Sequence, residues 1–287
     1  LPIYKLRILH VITTIERGGA ENQLLILVRQ QVSIGNIVEV AYLKGRPELE
    51  SAFKEVGVSV HFITGSLVQK IFRLVSFLNQ DFDIAHAHLP RSEILLAIEK
   101  FISRKSIRLV ASRHNAEPFF PQAPGPIPQI ISRATLSQYT SLIFISQAVK
   151  EFLCKSGEIP KKLHKEVIYY GYDETKLLTK EMRAKVRRNT FNYLFVGRLT
   201  AQKNIDSMLV AFRKALNENL NCQLHIYGEG ALEHVLKASV KDISSNILWH
   251  GKSADIHRIM LGSICLILPS KYEGFGLVLL EAMQSEL

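Results

Sequence analysis

The stretch Pro269-Ser-Lys-Tyr-Glu-Gly-Phe-Gly-Leu-Val-Leu-Leu-Glu281 decides how this chain is read. An apolar run, Ile264–Leu268, reads as a strand that ends at Pro269. A glycine-containing turn then opens a helix predicted over Phe275–Met283. Glu273 falls in the turn and Glu281 in the helix, eight positions apart. Gly274 and Gly276 let backbone amides come close to a ligand, and a helix amino terminus favours phosphate oxygens. A carboxylate beside such amides can accept hydrogen bonds from sugar or ribose hydroxyls. Taken alone, the spacing equally suits a glutamate that stabilises its own helix dipole, with Glu281 merely exposed.

The same strand–turn–helix unit recurs along the chain. Strands are expected at Leu6–Ile12, Ile37–Leu43, Val58–Ile63, Asp83–His88, Ile107–Arg113 and Ser141–Ile145, and Lys165–Tyr170 reads as another extended piece. Helical stretches lie between them near Glu21–Val32, Pro47–Val56, Leu67–Leu78, Ser92–Ile102, Ile127–Ser137 and Gln147–Cys154, the last capped by Ser146. A charged, core-poor stretch from Asp173 to Thr190 reads as a linker between a first domain (1–172) and a second (191–287). The alternation then restarts with strands at Phe191–Val196, Cys222–Tyr227, Ile247–His250 and Ile264–Leu268. Helices are expected at Ile205–Leu216, Leu232–Val240 and Ile256–Leu261. Such alternation predicts an α/β fold with parallel sheets covered by helices, in two units with a cleft between them. In open α/β sheets, ligands settle beyond the carboxyl ends of the strands.

Composition bounds the function. With 287 residues, 47% hydrophobic and 22% charged, the chain can bury a sizeable core. No apolar run approaches the ~20 residues that span a bilayer, and the start lacks the pattern of a secretion signal. Three widely spaced cysteines, Cys154, Cys222 and Cys265, are no disulfide framework or zinc site; each is expected to be a small buried hydrophobe. These features predict a cytoplasmic protein. The net charge of +10 is uneven: residues 1–172 carry 21 Lys and Arg against 14 Asp and Glu, and the remainder 15 against 12. The basic charges are not clustered with stacking aromatics, which argues against nucleic acid. They suit peripheral contact with the inner membrane face or a lipid-phosphate acceptor.

Further residues of interest follow strands. Val196-Gly-Arg-Leu-Thr-Ala-Gln-Lys-Asn204 offers Arg198 and Lys203, which can converge on a diphosphate, Arg as a fork and Lys as a compact charge. Ile15-Glu-Arg-Gly-Gly-Ala-Glu21 places Gly18 and Gly19 in a tight turn and Glu21 in the first helical turn. It is not a GxGxxG fingerprint, which disfavours a dinucleotide dehydrogenase. Asp83-Ile-Ala-His-Ala-His88 puts His86 and His88 on one face of a strand, without companion ligands that would suggest a metal. His88, nearer the strand end, is the preferred cleft residue. Ser112-Arg-His-Asn115 offers His114 and Asn115 after the next strand, ahead of a proline-rich loop over Pro118–Pro128. Tyr227-Gly-Glu-Gly230 places Gly228 and Gly230 after a later one, and His250-Gly-Lys252 can approach a base.

Together these motifs resemble retaining glycosyltransferases of family 4, which have the GT-B fold of two Rossmann-like domains facing a central cleft. Glu273-Gly-Phe-Gly-Leu-Val-Leu-Leu-Glu281 resembles the E-x7-E signature, Gly197-Arg-Leu-Thr-Ala-Gln-Lys-Asn204 the G-R-L-x-x-x-K-N segment, and Gly18-Gly-Ala-Glu21 the G-G-A-E motif. The resemblance runs in order from Gly18 to Glu281. It implies that Glu273 contacts the transferred sugar, Glu281 the ribose, and Arg198 and Lys203 the leaving diphosphate. His114 is implied near the reaction centre, and Gly18, Gly19, Glu21, His88, Asn115, Gly228, Gly230, Gly274, Phe275 and Gly276 are implied to line the substrates. The implied reaction moves a hexose from a UDP- or GDP-sugar to an acceptor hydroxyl, in polysaccharide or glycolipid synthesis. It needs no metal and no cofactor beyond the donor. The chain departs from the pattern in two places. Tyr170 stands where the interdomain N-G-V-D segment has Asn, and the segments that follow the E-x7-E helix are absent, so the second domain is expected to be incomplete. An epimerase of the same fold and a non-catalytic nucleotide-sugar-binding fragment are the alternatives.

Overall fold

The computed structural model describes residues 5–103, 107–121, 123–171, 192–218, 221–253 and 255–287. The expected linker at 173–190 lies outside the described residues. The chain divides into two compact units, Leu1–Tyr172 and Asp173–Leu287.

The first unit is built on a seven-stranded sheet. Its strands are β1 (Arg7–Ile12), β2 (Ile37–Tyr42), β3 (Ser59–Phe62), β4 (Ile84–His88), β5 (Arg108–Arg113), β6 (Ser141–Phe144) and β7 (His164–Val167). They pair in the order β3-β2-β1-β4-β5-β6-β7, every pair parallel. Winding runs outward from β1 to β3, then returns to β4 on the other side of β1. That reversal makes the β1/β4 boundary the switch point at which doubly wound sheets bind ligands. Central strands covered on both faces need near-continuous apolar sequence, and β1 is buried from Ile8 to Ile12.

The crossovers are α1 (Gly19–Ser33), α2 (Glu50–Glu55), α3 (Leu67–Leu78), α4 (Pro90–Ser103), α5 (Ile127–Leu136) and α6 (Gln147–Lys155). α3 starts with a capping box: Ser66 Oγ accepts from the Gln69 amide, and Gln69 Oε1 accepts from the Ser66 amide at 2.8 Å. At α6 the Ser146 side chain accepts from the Val149 amide, the cap expected from sequence. Ile12, Leu24, Val28, Val40 and Phe53 form a core between α1, α2 and the sheet.

Polar groups are also buried in this unit. Arg113 donates to Glu93 Oε2 at 2.8 Å and to Ser132 Oγ at 3.0 Å, and it lies 3.7 Å from Glu158. Its guanidinium sits 4.4 Å from the Phe119 ring centre. Glu158 in turn accepts the Phe119 amide at 3.1 Å, so these contacts tie the proline-rich loop to the sheet.

The second unit has four parallel strands: β8 (Asn192–Val196), β9 (Gln223–Tyr227), β10 (Ile247–Gly251) and β11 (Cys265–Leu266). Their order is β10-β9-β8-β11, so the switch point falls between β8 and β11. Helices α7 (Ile205–Asn217), α8 (Glu233–Ser239), α9 (Ile256–Leu261) and α10 (Leu277–Gln284) connect and cover them. Phe195, Met208, Phe212, Leu224, Ile226 and Leu236 form the main core. No helix of the described residues is long and apolar enough to cross a membrane.

Three expectations are corrected. The piece predicted over Lys165–Tyr170 is a strand only to Val167, because its partner β6 ends at Phe144 and turns into the Ser146 cap. The strand predicted over Ile264–Leu268 shortens to Cys265–Leu266, with one further ladder bond on each side from Ile264 and Ile267. Cys154 and Cys265 are exposed and only Cys222 is buried. Cys154 follows Leu153, whose position with Val149 defines the buried face of α6, so the next residue turns away from the core.

Breaking a buried ion pair leaves a charge without compensation, typically at about 3–5 kcal/mol. Arg113→Met strands both Glu93 and Glu158, so urea unfolding should show a loss of that order. A loss below about 1 kcal/mol would mean that the pair is not a structural support of this unit.

Candidate functional site

Four histidines of the first unit form one connected group at its switch point. His10 pairs in register with His86 across β1 and β4, so both side chains leave the same face, together with His88. His114 follows β5. All four are buried, His10 completely and His114 to 9% exposure. Gln31 of α1 covers this face and contacts His10 Nε2 through Oε1 at 2.8 Å. His10 Nδ1 meets His88 Nε2 at 3.0 Å, and His88 Nδ1 meets His114 Nε2 at 3.2 Å. His114 Nδ1 is hydrogen-bonded to the Tyr170 hydroxyl. His86 Nε2 pairs separately with Ser112 Oγ at 2.8 Å.

Each ring in this chain can donate once and accept once only while neutral. Burial enforces that state, since an imidazolium there would lose its hydration. Burial lowers the His10 and His114 pKa values to about 4. It holds His86 and His88 well below the ordinary value, helped by the neighbouring rings. His10, His86 and His88 also bring potential ligand atoms within 4.8 Å of one another. Holding a metal there would require breaking the His10–His88 bond.

The glycine turn sits beside this chain. Thr14 Oγ1 donates to Glu21 Oε1 at 2.7 Å. A Cβ on Gly18 would stand 2.4 Å from Glu21 Oε2, so glycine there is what makes room for the carboxylate. Gly19 begins α1. Burial, and then the Glu21 charge, push the Tyr170 hydroxyl above its ordinary pKa. Gln23 Nε2 donates to the Gly171 carbonyl at 3.0 Å, tying the segment after β7 to α1. Glu21, His88, His114 and Tyr170 therefore belong to one constellation. Asn115 instead donates to Glu117 at 2.8 Å.

In the second unit, the loops after β8 and β11 are joined at the switch point. Asn204 Nδ2 donates to the Pro269 carbonyl, Gln202 Nε2 to the Tyr272 carbonyl, and the Lys271 amide to the Gln202 carbonyl. Between them, Lys203 Nζ lies 2.5 Å from Glu273 Oε1, the two side chains 12% and 25% exposed. Arg198 is exposed on the loop after β8, and Glu281 lies within α10. Gly276 caps α10 in the left-handed region (φ 74°), and Gly274 is buried with Phe275 between them half-buried. Gly228 has φ 139°, and a Cβ there would stand 1.9 Å from the Gly197 carbonyl oxygen. Gly230 likewise has the Leu199 carbonyl oxygen 2.4 Å from where its Cβ would be, so both glycines have a packing reason independent of a ligand. Tyr227 stacks on His250 at 4.3 Å and 7°. A groove of about 560 Å³ lined by Leu6, Phe82, Asp83, Ile107 and Arg108 lies at the opposite, amino edge of the first sheet.

The sequence model of Glycosyltransferase Family 4 matches residues 17–176, and that of Glycosyl transferases group 1 matches residues 179–287. The chain belongs to glycosyltransferase family 4. It is similar to the UDP-Gal:alpha-D-GlcNAc-diphosphoundecaprenol alpha-1,3-galactosyltransferase of Escherichia coli, 33% identical over 52% of this chain and 41% of that protein. It is also similar to the alpha-D-kanosaminyltransferase of Streptomyces kanamyceticus, 23% identical over 69% of this chain and 56% of that protein. These matches thus span about two fifths to just over half of the relatives' length. The fold matches that of Anabaena HepE solved with UDP and glucose, with a TM-score of 0.81 and 20% identity over 98% of this chain and 78% of the other. This family 4 chain therefore has the GT-B fold.

Sequence reasoning missed His10 and Gln31 and gave Tyr170 no role. His10 carried one usable signal: it is the only strongly polar side chain in the apolar run Ile8–Ile12. Gln31 carried none, because a glutamine on a helix is ordinarily a solvated residue.

Two outcomes follow for the family 4 chain. An unfolded histidine titrates near 6.5, whereas folded His10 and His114 do so at about 4. The unfolded state therefore takes up protons first as pH falls. The stability these groups allow is intact above about pH 6.5 and declines progressively towards pH 4. Urea unfolding should show this decline already between pH 6.5 and 5, above the carboxylate range; a flat profile there would contradict neutral burial. Gly228→Ala should cost about 2 kcal/mol or more in the same assay, since backbone must move to admit the methyl group. Unchanged stability would show that the Gly197–Gly228 approach is not obligatory.

Proposed function

We propose that this glycosyltransferase moves a hexose from a UDP-sugar, with retention of configuration, to a hydroxyl of a lipid-linked or polysaccharide acceptor. The observation that carries this reading is the ion pair of Lys203 with Glu273, 2.5 Å apart where the loops after β8 and β11 meet. In the ligand-free protein each group neutralises the other. With a nucleoside diphosphate present, Lys203 turns to the phosphate oxygens, and Glu273 is released to accept hydrogen bonds from the hexose hydroxyls. Arg198 adds a planar, permanently charged fork to the same diphosphate. The amides opening α10 at Gly276 favour phosphate as well. Preorganised cations stabilise the charge that develops on the leaving diphosphate, so the scheme needs no metal and no enzyme nucleophile. Glu281 is assigned to the ribose. His114 and Glu21 of the first unit are assigned to sugar hydroxyls.

The UDP donor is supported by the UDP and glucose held by the Anabaena neighbour. The lipid-linked acceptor is supported by the name of the Escherichia coli relative, and it suits the basic excess of residues 1–172. The same excess suits peripheral contact with the membrane face that carries such an acceptor.

Turnover tests this directly. The protein is incubated with UDP-glucose, UDP-galactose or GDP-mannose and an undecaprenyl-diphosphate-linked GlcNAc acceptor, and nucleotide release is followed. Arg198→Ala and Lys203→Ala should each lower kcat by about 10²-fold or more. Wild-type turnover in both variants would remove the diphosphate assignment. Nucleotide-sugar binding without turnover on any acceptor would favour a binding role for this chain.

A further inference from the structure

The hydrogen-bond chain Gln31–His10–His88–His114–Tyr170 has a direction. Gln31 Oε1 can only accept, so the proton of His10 sits on Nε2 and its Nδ1 presents a lone pair. His88 must then donate from Nε2 to His10, which leaves its own Nδ1 as an acceptor. His114 donates from Nε2 to that atom, and its Nδ1 becomes an acceptor in turn. The Tyr170 O–H donates to His114 Nδ1 and closes the series. Every member is satisfied, none is charged, and reversing one bond reverses all of them. If Gln31 turned its amide nitrogen toward His10 instead, His114 Nδ1 would carry a proton and act as a donor.

We infer that Gln31, acting through His10 and His88, sets His114 as a hydrogen-bond acceptor toward the carboxyl edge of the first sheet, so that the ligand group recognised there is a hydroxyl that donates. A phosphate or carbonyl oxygen carries no proton and would meet a lone pair at Nδ1. A sugar hydroxyl does carry one, and it can take the place that the Tyr170 hydroxyl holds in the ligand-free protein. Gln31 is thus a positioning residue, three rings removed from the atom whose chemical character it decides. This inference rests on the assignment of His114 to a sugar hydroxyl. The polarity itself rests only on the geometry of the chain.

The two halves are tested separately. Long-range ¹H–¹⁵N NMR of the labelled protein near pH 7.5 reads the tautomer of each histidine. His10, His88 and His114 should all be Nε2–H in the wild type. Gln31→Glu offers only acceptor oxygens and should preserve that pattern, whereas Gln31→Leu removes the anchor and should yield mixed or reversed tautomers. A proton on Nδ1 of His114 in the wild type, or an unaltered pattern in Gln31→Leu, overturns the inference. For the ligand half, calorimetry compares UDP-glucose with its monodeoxy and deoxyfluoro analogues; fluorine replaces a hydroxyl without being able to donate. At the hydroxyl that meets His114, both analogues should lose affinity alike, by about tenfold. Affinity retained by the fluoro analogue and lost by the deoxy one would show that His114 donates, which overturns the inference. Analogues that all bind as the parent does would refute the sugar assignment of His114 and leave the tautomer result standing. Failure of UDP-glucose itself to bind would count against the proposed donor.

Discussion

Parallel strand pairing is the constraint on which the rest depends. Two parallel neighbours cannot be joined by a hairpin, so each must be reached by a crossover that covers the sheet. Where the winding reverses, at β1/β4 and again at β8/β11, successive loops leave the carboxyl edge in different directions and the edge between them stays open. The candidate residues hang on those loops. Gly18 to Glu21 follow β1, His88 ends β4, and His114 follows β5; Arg198 and Lys203 follow β8, and Glu273 follows β11. Their separation in sequence, as much as 70 positions between Lys203 and Glu273, is the length of chain that the crossovers consume.

The two candidate clusters manage polarity differently. The histidine chain of the first unit buries uncharged rings and satisfies each ring nitrogen of His10, His88 and His114 from within. In a low-dielectric interior an unpaired polar atom is costly, so such a chain is stable only when complete and is correspondingly rigid. The second unit leaves its charges partly exposed. Lys203 and Glu273 are close enough for a strong contact, yet 12% and 25% of their side-chain surfaces still meet solvent. A charge held that way must stay compensated, so a diphosphate can draw Lys203 from Glu273 only by offering its own anionic oxygens in exchange. A rigid acceptor of hydroxyls and an exchangeable cation suit the two roles assigned to them.

Much of this was legible in the sequence because it is local. The α/β alternation follows from apolar periodicity and turn residues. The Ser146 cap needs only its neighbours, and the loop character of Lys203 and Glu273 follows from the strands before them. What was misread depends on partners elsewhere. Lys165–Tyr170 has strand character throughout but pairs only as far as β6 extends. Cys154 looks like core material until the helical phase set by Val149 and Leu153 turns it outward. Tyr170, an apparent departure from a motif, stands at the end of a chain that begins at Gln31.

The amino-acid sequence by itself determined the fold class, the order of the elements and the family, because periodicity, caps and short motifs are written in consecutive residues. Only the tertiary structure decided that Lys203 meets Glu273, that Gly228 and Gly230 are needed for close backbone packing, and that three scattered histidines, His10, His88 and His114, share one directed set of protons. Hydrogen bonds and ion pairs act within about 3–4 Å of space. Distance along the chain sets no such limit, so contacts of that kind exist only once the strands have been laid side by side.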